Sequence, residues 1–232
     1  MPTWKRAMDL AACVVALPFL ALGTLIMTIV TRLVSPGPVF FRQERVGLGG
    51  RRFYLYKFRT MKVNAATAGH ELYYKQLMAS CTPMQKLDGK GDSRLIPFGW
   101  FLRALGLDEL PQIINVLRGE MSLIGPRPCL PYEYEAYTSW QNHRLDATPG
   151  LTGLWQVSGK NRTTFDQMVA FDIEYARNFS LWLDLKIVFL TMPALIRQLN
   201  DTRCARKAER AGKPAQTSLF QSKQREHQLN SS

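Results

Sequence analysis

The sequence predicts a mainly helical α/β fold attached to a membrane, and three features carry that expectation. Residues 10–31 form a run of 22 without a charge. Two short extended segments meet at a glycine turn near residues 47–50, which predicts a small β-hairpin. Apolar residues then recur at helical spacing from residue 98 to residue 117.

The apolar run follows Lys5, Arg6 and Asp9. At the rise of an α-helix it reaches about 33 Å, enough to cross a hydrocarbon core of about 30 Å. Asp9 interrupts the charge order of a cleaved signal peptide, and no small-x-small cleavage site follows. Pro18 removes a helical donor and clashes with the preceding turn, so a break is expected at Leu17-Pro18. The two halves would be about 12 and 21 Å long, each too short to cross. A re-entrant hairpin fits these lengths and keeps Lys5, Arg6 and Arg32 on one side. A kinked spanning helix fits the same residues.

SPGP at 35–38 ends this segment, since it cannot continue a helix. VFFRQERVG, LGGRR and FYLYKFRTM then give the hairpin, with Phe53, Leu55 and Lys57 on one face. Residues 64–93 are polar apart from a helical patch at ELYYKQLM. Beyond them Phe98, Phe101, Leu102 and Leu105 share a helical face, which Gly106 terminates. Leu110, Ile113, Ile114 and Leu117 mark a second helix ending at Gly119. Asp108 is its expected N-cap, with Glu109 in the first turn and Pro111 tolerated there. Asp-Glu at a helix start is ordinary capping chemistry. The same pair suits a nucleophilic carboxylate, a hard cation and a bound phosphate.

Length and composition narrow the function. The 232 residues, 46% of them hydrophobic, allow one domain with small appendages. Cys13, Cys81, Cys129 and Cys204 are too scattered for a zinc module or a disulfide scaffold. The net charge of +12 favours an anionic partner: a membrane surface, a nucleic acid or a phosphorylated small molecule. Eight Lys/Arg against three acids lie in residues 197–232, which read as a basic, disordered extension of the last helix. Gly153 and Gly159-Lys160 miss the P-loop spacing, and no serine sits in a nucleophile elbow. Residues 187–196 form a charge-free decamer containing Pro193, flanked by Trp182, Lys186 and Arg197. It suits a buried core helix or an in-plane interfacial one.

Taken in order, several blocks resemble the bacterial sugar transferases, the small monotopic polyprenyl-phosphate phosphoglycosyl transferases. They are KRAMDL with Leu17-Pro18, SPGPVFFRQERVG, YKFRTM, LRALGLDELPQIINVLRGEMSLIGPRP, PGLTGLWQVSGKN and FDIEYARNFSLWLDLKIVFLT, over residues 3–199. The resemblance implies a re-entrant membrane helix (1–34), a cytosolic catalytic domain with interfacial helices (35–200) and a basic tail (201–232). It implies transfer of a sugar-1-phosphate from a UDP-sugar to polyprenyl (undecaprenyl) phosphate, with UMP released, at the cytoplasmic face of a bacterial inner membrane. Exopolysaccharide, O-antigen or other glycoconjugate assembly would be the destination. Asp108 takes the position of the family nucleophile, and Glu109 that of its Mg²⁺-assisting neighbour. Lys57, Arg59, Arg103, Arg127, Gln156 and Asp172 take substrate- or phosphate-contacting positions.

Other implied partners are membrane lipids, further copies of the chain and downstream glycosyltransferases, with no nucleic acid. The chain has Gly159-Lys160 where Gly-Arg is commoner in the family. The GLWQVSG wording is similar to members that use plain hexoses such as galactose or glucose. The alternative from another class is a non-catalytic, membrane-anchored binder or scaffold that uses its basic face.

Overall fold

Thr3–Val34 form one helix of 32 residues, α1, which contains Pro18. The computed structural model describes residues 1–63, 94–97, 99–159 and 163–210, and for 198–210 the backbone alone. The helical patch at 71–78, Phe98, Lys160 and residues 211–232 lie outside these. The break expected at Leu17-Pro18 does not interrupt α1. Proline costs a helix one donor and a local clash, and here Leu20, two residues on, packs against Phe58 and Ile96. Lys5, Asp9, Cys13, Leu20, Met27 and Thr31 are buried, a single stripe at helical spacing. Val14, Val15, Phe19, Leu22, Leu25, Ile26, Ile29 and Leu33 face outward and are exposed. The body of the protein therefore runs beside α1 along nearly its whole length.

The predicted hairpin is present. Phe40–Val46 (β1) and Arg52–Phe58 (β2) pair antiparallel, with Phe41 opposite Lys57, Gln43 opposite Leu55 and Arg45 opposite Phe53. Opposed side chains share a face, so Lys57, Gln43 and Arg45 stand on the same face as Phe53 and Leu55. Phe53 and Leu55 pack with Cys13 of α1 and with Ile113, Val116 and Met121. Phe58, on the other face, joins Leu20, Met27 and Ile96. Both faces of β2 are thus anchored to α1.

Gly99–Leu105 form α2, and Gly106 ends it with φ near 72°, a left-handed conformation that glycine adopts without a steric cost. The expected helix start at Asp108 is a 3-10 turn instead, Leu107–Gln112, and α3 begins only at Ile113 and ends at Arg118. Pro111 lies inside that turn. Its missing N–H and its restriction of Leu110 oppose α-helix there. Asp108 consequently sits within the turn, one residue past its start, rather than at the head of an α-helix.

One buried side chain fixes α3 to the hairpin. Asn115 Oδ1 accepts from Tyr56 N at 3.1 Å, while Asn115 Nδ2 donates to Tyr54 O and to Glu120 Oε2, each at 2.7 Å. The amide completes the open edge of β2 as a neighbouring strand would.

Ser122–Ile124 (β3) pair in parallel with Gly150–Thr152 (β4). Between them come Pro131–Glu135 (α4), Ser139–Asn142 (α5) and a 3-10 turn at His143–Asp146. A Cβ at Gly125 would lie 2.1 Å from Thr148 O, and one at Gly150 would lie 2.1 Å from Gly125 N. Only glycine allows this approach of two main chains. Leu154–Val157 (α6) and Phe165–Asn178 (α7) follow, the latter capped by Thr164 and Gln167. Leu181–Arg210 (α8) closes the described chain, with Pro193 inside it, and runs ten residues into the segment assigned to the tail. Asp184 and Ile187 are buried, whereas Trp182, Phe189, Met192 and Ile196 are exposed. The decamer at 187–196 is thus a core helix on one side and an uncovered apolar surface on the other.

Replacing Asn115 by Ala leaves Tyr56 N and Tyr54 O without their partner. The loss of two partly buried hydrogen bonds should cost about 2 kcal/mol. A lowered urea midpoint in detergent would show this, and an unchanged midpoint would refute the role given to the amide.

Candidate active site

The 3-10 turn lies across β2 and brings the acidic pair to the hairpin. Asp108 is buried, with 7% of its surface exposed. Lys57 Nζ donates to Glu109 Oε1 at 2.8 Å, with side-chain exposures of 24% and 42%. This pair is partly open to solvent, so its contribution to stability is small, about 1 kcal/mol at most. Its geometric effect is larger. A cation is held beside two consecutive carboxylates, on a rigid strand, at a surface that a ligand can reach. Arg103 is half-buried on α2, whose end leads through Gly106 directly into the turn.

A second group gathers at the ends of β3 and β4. The GPRP loop, residues 125–128, leaves β3 there. Arg127 Nη1 lies 3.9 Å from Glu133 Oε1, and Glu133 Oε2 accepts from Leu130 N at 3.0 Å. Arg144, fully buried, donates from Nη2 to Arg127 O at 3.0 Å and from Nη1 to the Tyr137 hydroxyl at 2.7 Å. The same guanidinium forms a short ion pair with Asp172. Burial pushes the Asp172 carboxyl up, while Arg144 pulls it back down. Asp172 therefore faces Arg144 in the interior, and the main chain and charge of Arg127 in the GPRP loop also act on its carboxylate.

Gln156 belongs to this end of the molecule as well. It lies on α6, whose first turn begins at Gly153. A Cβ at Gly153 would lie 2.2 Å from Gly125 O and 2.8 Å from Gln156 Oε1. Among the described residues Gln156 Oε1 is buried without a hydrogen-bond partner.

The hairpin spans the two groups. Arg45 stands on the Lys57 face, four residues along the ladder or about 13 Å, and Arg45 Nη1 donates to Pro128 O at 3.0 Å. Arg59 goes elsewhere. Its Nε donates to Pro38 O at 2.6 Å, Nη1 to Ser35 Oγ at 2.9 Å, and Nη2 to Ser35 O through a short contact. With 5% of its surface exposed, Arg59 ties the exit of α1 to the end of β2. Of the residues singled out in the sequence, Asp108, Glu109 and Lys57 meet at one end of the hairpin. Arg127 and Gln156 meet at the other, with Asp172 behind them. Glu133, Arg144 and Arg45 were not singled out; Arg144 and Arg45 are isolated polar positions with partners far away in the chain, whereas Glu133 accepts locally from Leu130 N.

Comparison with known proteins gives the family. The model of the bacterial sugar transferase family matches residues 1–198. The chain belongs to that family. It is 43% identical over 198 residues to the exopolysaccharide production protein ExoY of Rhizobium meliloti, covering 82% of this chain and 84% of that protein. It is 41% identical over 194 residues to the galactosyl transferase CpsE of Streptococcus agalactiae, covering 83% of this chain but 42% of that protein. A Caulobacter vibrioides protein named UDP-glucose:undecaprenyl-phosphate glucose-1-phosphate transferase is 40% identical over 200 residues, 83% of this chain and 69% of its own. This sugar transferase thus spans less than half of the streptococcal relative and most of ExoY.

In this sugar transferase, Asp172→Asn would leave Arg144 buried beside a neutral amide. Breaking a buried pair on one side costs about 3–5 kcal/mol. The thermal midpoint of this variant should fall clearly below that of the double variant Arg144→Met with Asp172→Leu, in which no charge is stranded. Equal midpoints would refute the pairing.

Proposed function

We propose that the chain transfers a sugar-1-phosphate from a UDP-sugar to undecaprenyl phosphate, giving undecaprenyl-diphosphate-sugar and UMP. The observation that carries this reading is the buried Asp108 beside Glu109, with Lys57 2.8 Å from the Glu109 carboxylate, in a chain of the bacterial sugar transferase family.

The reaction runs in two displacements. A carboxylate oxygen of Asp108 attacks the β-phosphorus of the donor, an O–P bond forms, and the bond to the bridging oxygen breaks. UMP leaves with that electron pair. A phosphate oxygen of the lipid then attacks the phosphoryl-aspartate, and the Asp108 carboxylate is released. Lys57, Arg103 and Arg127 supply positive charge to the phosphoryl oxygens. Gln156 supplies an amide at the GPRP end.

Mg²⁺ suits the acidic pair by the chemistry of the donors, since consecutive carboxylates are hard oxygen ligands. Among the described residues no cluster of three or more His, Cys, Asp or Glu is gathered. A cation held by Asp108 and Glu109 would therefore complete its shell from water and substrate phosphate, the usual habit of Mg²⁺. Bound there, it would neutralise the donor diphosphate.

Attachment follows the outward surfaces. The buried stripe of α1 runs from Lys5 to Thr31, so no stretch of about 20 residues is left for lipid alone, as a spanning helix requires. We read α1 as embedded in one leaflet, its outer face and the exposed Trp182, Phe189 and Met192 of α8 in lipid. Trp100 and Phe101 on α2, and Leu107 in the turn, are also exposed, which puts Asp108 near headgroup depth. The catalytic body then lies on the cytoplasmic side, where UDP-sugars are found. A plain hexose, galactose or glucose, is the preferred sugar, as the first membrane step of exopolysaccharide assembly.

Purified protein incubated with UDP-hexose labelled in the β-phosphate, Mg²⁺ and no lipid should acquire covalent label and release UMP. Asp108→Asn should abolish both, and transfer at wild-type rate in that variant would sink the mechanism. Removing Mg²⁺ with EDTA should reduce turnover by orders of magnitude, consistent with the charge stabilisation a metal supplies.

A further inference from the structure

We propose that Lys5, Asp9, Tyr175 and Asp184 are positioning residues that lock β3, and with it the GPRP loop, to the membrane helices α1 and α8. The inference rests on the transferase reading, because it gives the GPRP loop a substrate to hold.

The contacts converge on three consecutive residues. Asp9 Oδ1 accepts from Ser122 Oγ at 3.0 Å and from Leu123 N at 2.9 Å. The Tyr175 hydroxyl is placed 3.2 Å from Ile124 O and 2.7 Å from Asp184 Oδ1. Lys5 Nζ donates to Asp184 Oδ2 at 2.6 Å and to the Tyr175 hydroxyl at 2.9 Å. Lys5, Asp9, Tyr175 and Asp184 are each at most 3% exposed, and Gly125 of the GPRP loop is the next residue along. Arg6 adds a parallel tie, donating to Val116 O at 2.5 Å and Leu117 O at 2.7 Å at the end of α3.

Anchoring alone requires none of this. Positive residues that merely flank a membrane segment reach headgroups or water, whereas Lys5 reaches neither. Burying an ion pair costs solvation that its attraction often fails to repay. What such a pair can supply is a unique arrangement: α1 and α8 in one register, with β3 clamped between. Burial and the adjoining Asp184 push the Tyr175 phenol up, so it stays a neutral donor. The outer apolar face of α1 does the anchoring, and its inner polar end holds the catalytic loop.

The test uses the full chain in nanodiscs. Tyr175→Phe keeps the ring and removes the hydroxyl. Amide exchange at residues 122–125 should accelerate about five- to tenfold, the worth of one hydrogen bond. The KM for UDP-sugar should rise by a similar factor, with kcat changed less than about twofold. Asp184→Asn, which strips Lys5 of its counterion, should move both readouts in the same direction and further. Vesicle flotation should be unchanged in both variants, and release from the vesicles would overturn the assignment by tracing the loss to anchoring. Unaltered exchange at 122–125 overturns the lock whatever the activity, and faster exchange with unaltered KM overturns its role at the site. Failure of the transferase reading is distinguishable, because wild-type protein would then release no UMP.

Discussion

The structure depends on one constraint, that a single helix must satisfy two solvents along its length. α1 presents Val14, Phe19, Leu22, Ile26 and Leu33 outward and Lys5, Asp9, Cys13, Leu20, Met27 and Thr31 inward. The outward residues are stable only against lipid. The inward ones are stable only against a body that supplies hydrogen bonds at one end and apolar packing further on. Asp9 finds Ser122 and Leu123; Cys13 and Leu20 find the two faces of the hairpin. Unbroken passage through Pro18 follows, because the inward face is held on both sides of the proline. The body cannot drift from the bilayer without unpacking its own core.

From that constraint the site is assembled by the hairpin. β2 is gripped on both faces by α1 and on its free edge by Asn115, so Lys57 and Arg45 are carried on a stiff ruler. The turn that bears Asp108 and Glu109 lies at one end, and the GPRP loop is tied by Arg45 near the other. Side chains on one face of a ladder are held at fixed separation with little conformational freedom to lose. Proline inside the acidic turn serves the same end. It keeps the segment from continuing as a regular helix.

What the sequence discloses and what it conceals divide along chain separation. The apolar run, the hairpin around residues 47–50 and the stops at Gly106 and Gly119 all leave local, periodic traces, and each is found where the pattern placed it. The start at Asp108 was misread because a capping pattern and a 3-10 turn look alike over four residues; only packing against β2 separates them. The roles of Arg59 and Asp172 were hidden for another reason. Arg144 and Asp172 are 28 positions apart, and Lys5 and Asp184 are 179 apart. No periodicity records such pairs, and family motifs name the residues without stating what they touch.

The net charge of +12 has a different meaning once these contacts are known. Cations invite assignment to an anionic ligand, yet several of those in this chain are satisfied inside the protein. Lys5 is neutralised by Asp184, Arg144 by Asp172, and Arg59 is bound to the carbonyls of residues 35 and 38. Arg6 caps the final carbonyls of α3, which a short helix otherwise leaves exposed. These cations hold elements together: Lys5, Arg6 and Arg59 at the junctions of α1 with the body, and Arg144 inside the body. Lys57, at one quarter exposed and already oriented by Glu109, remains among the solvent-accessible cations. Part of the basic character of this chain thus joins the membrane helix to the body, through Lys5, Arg6 and Arg59.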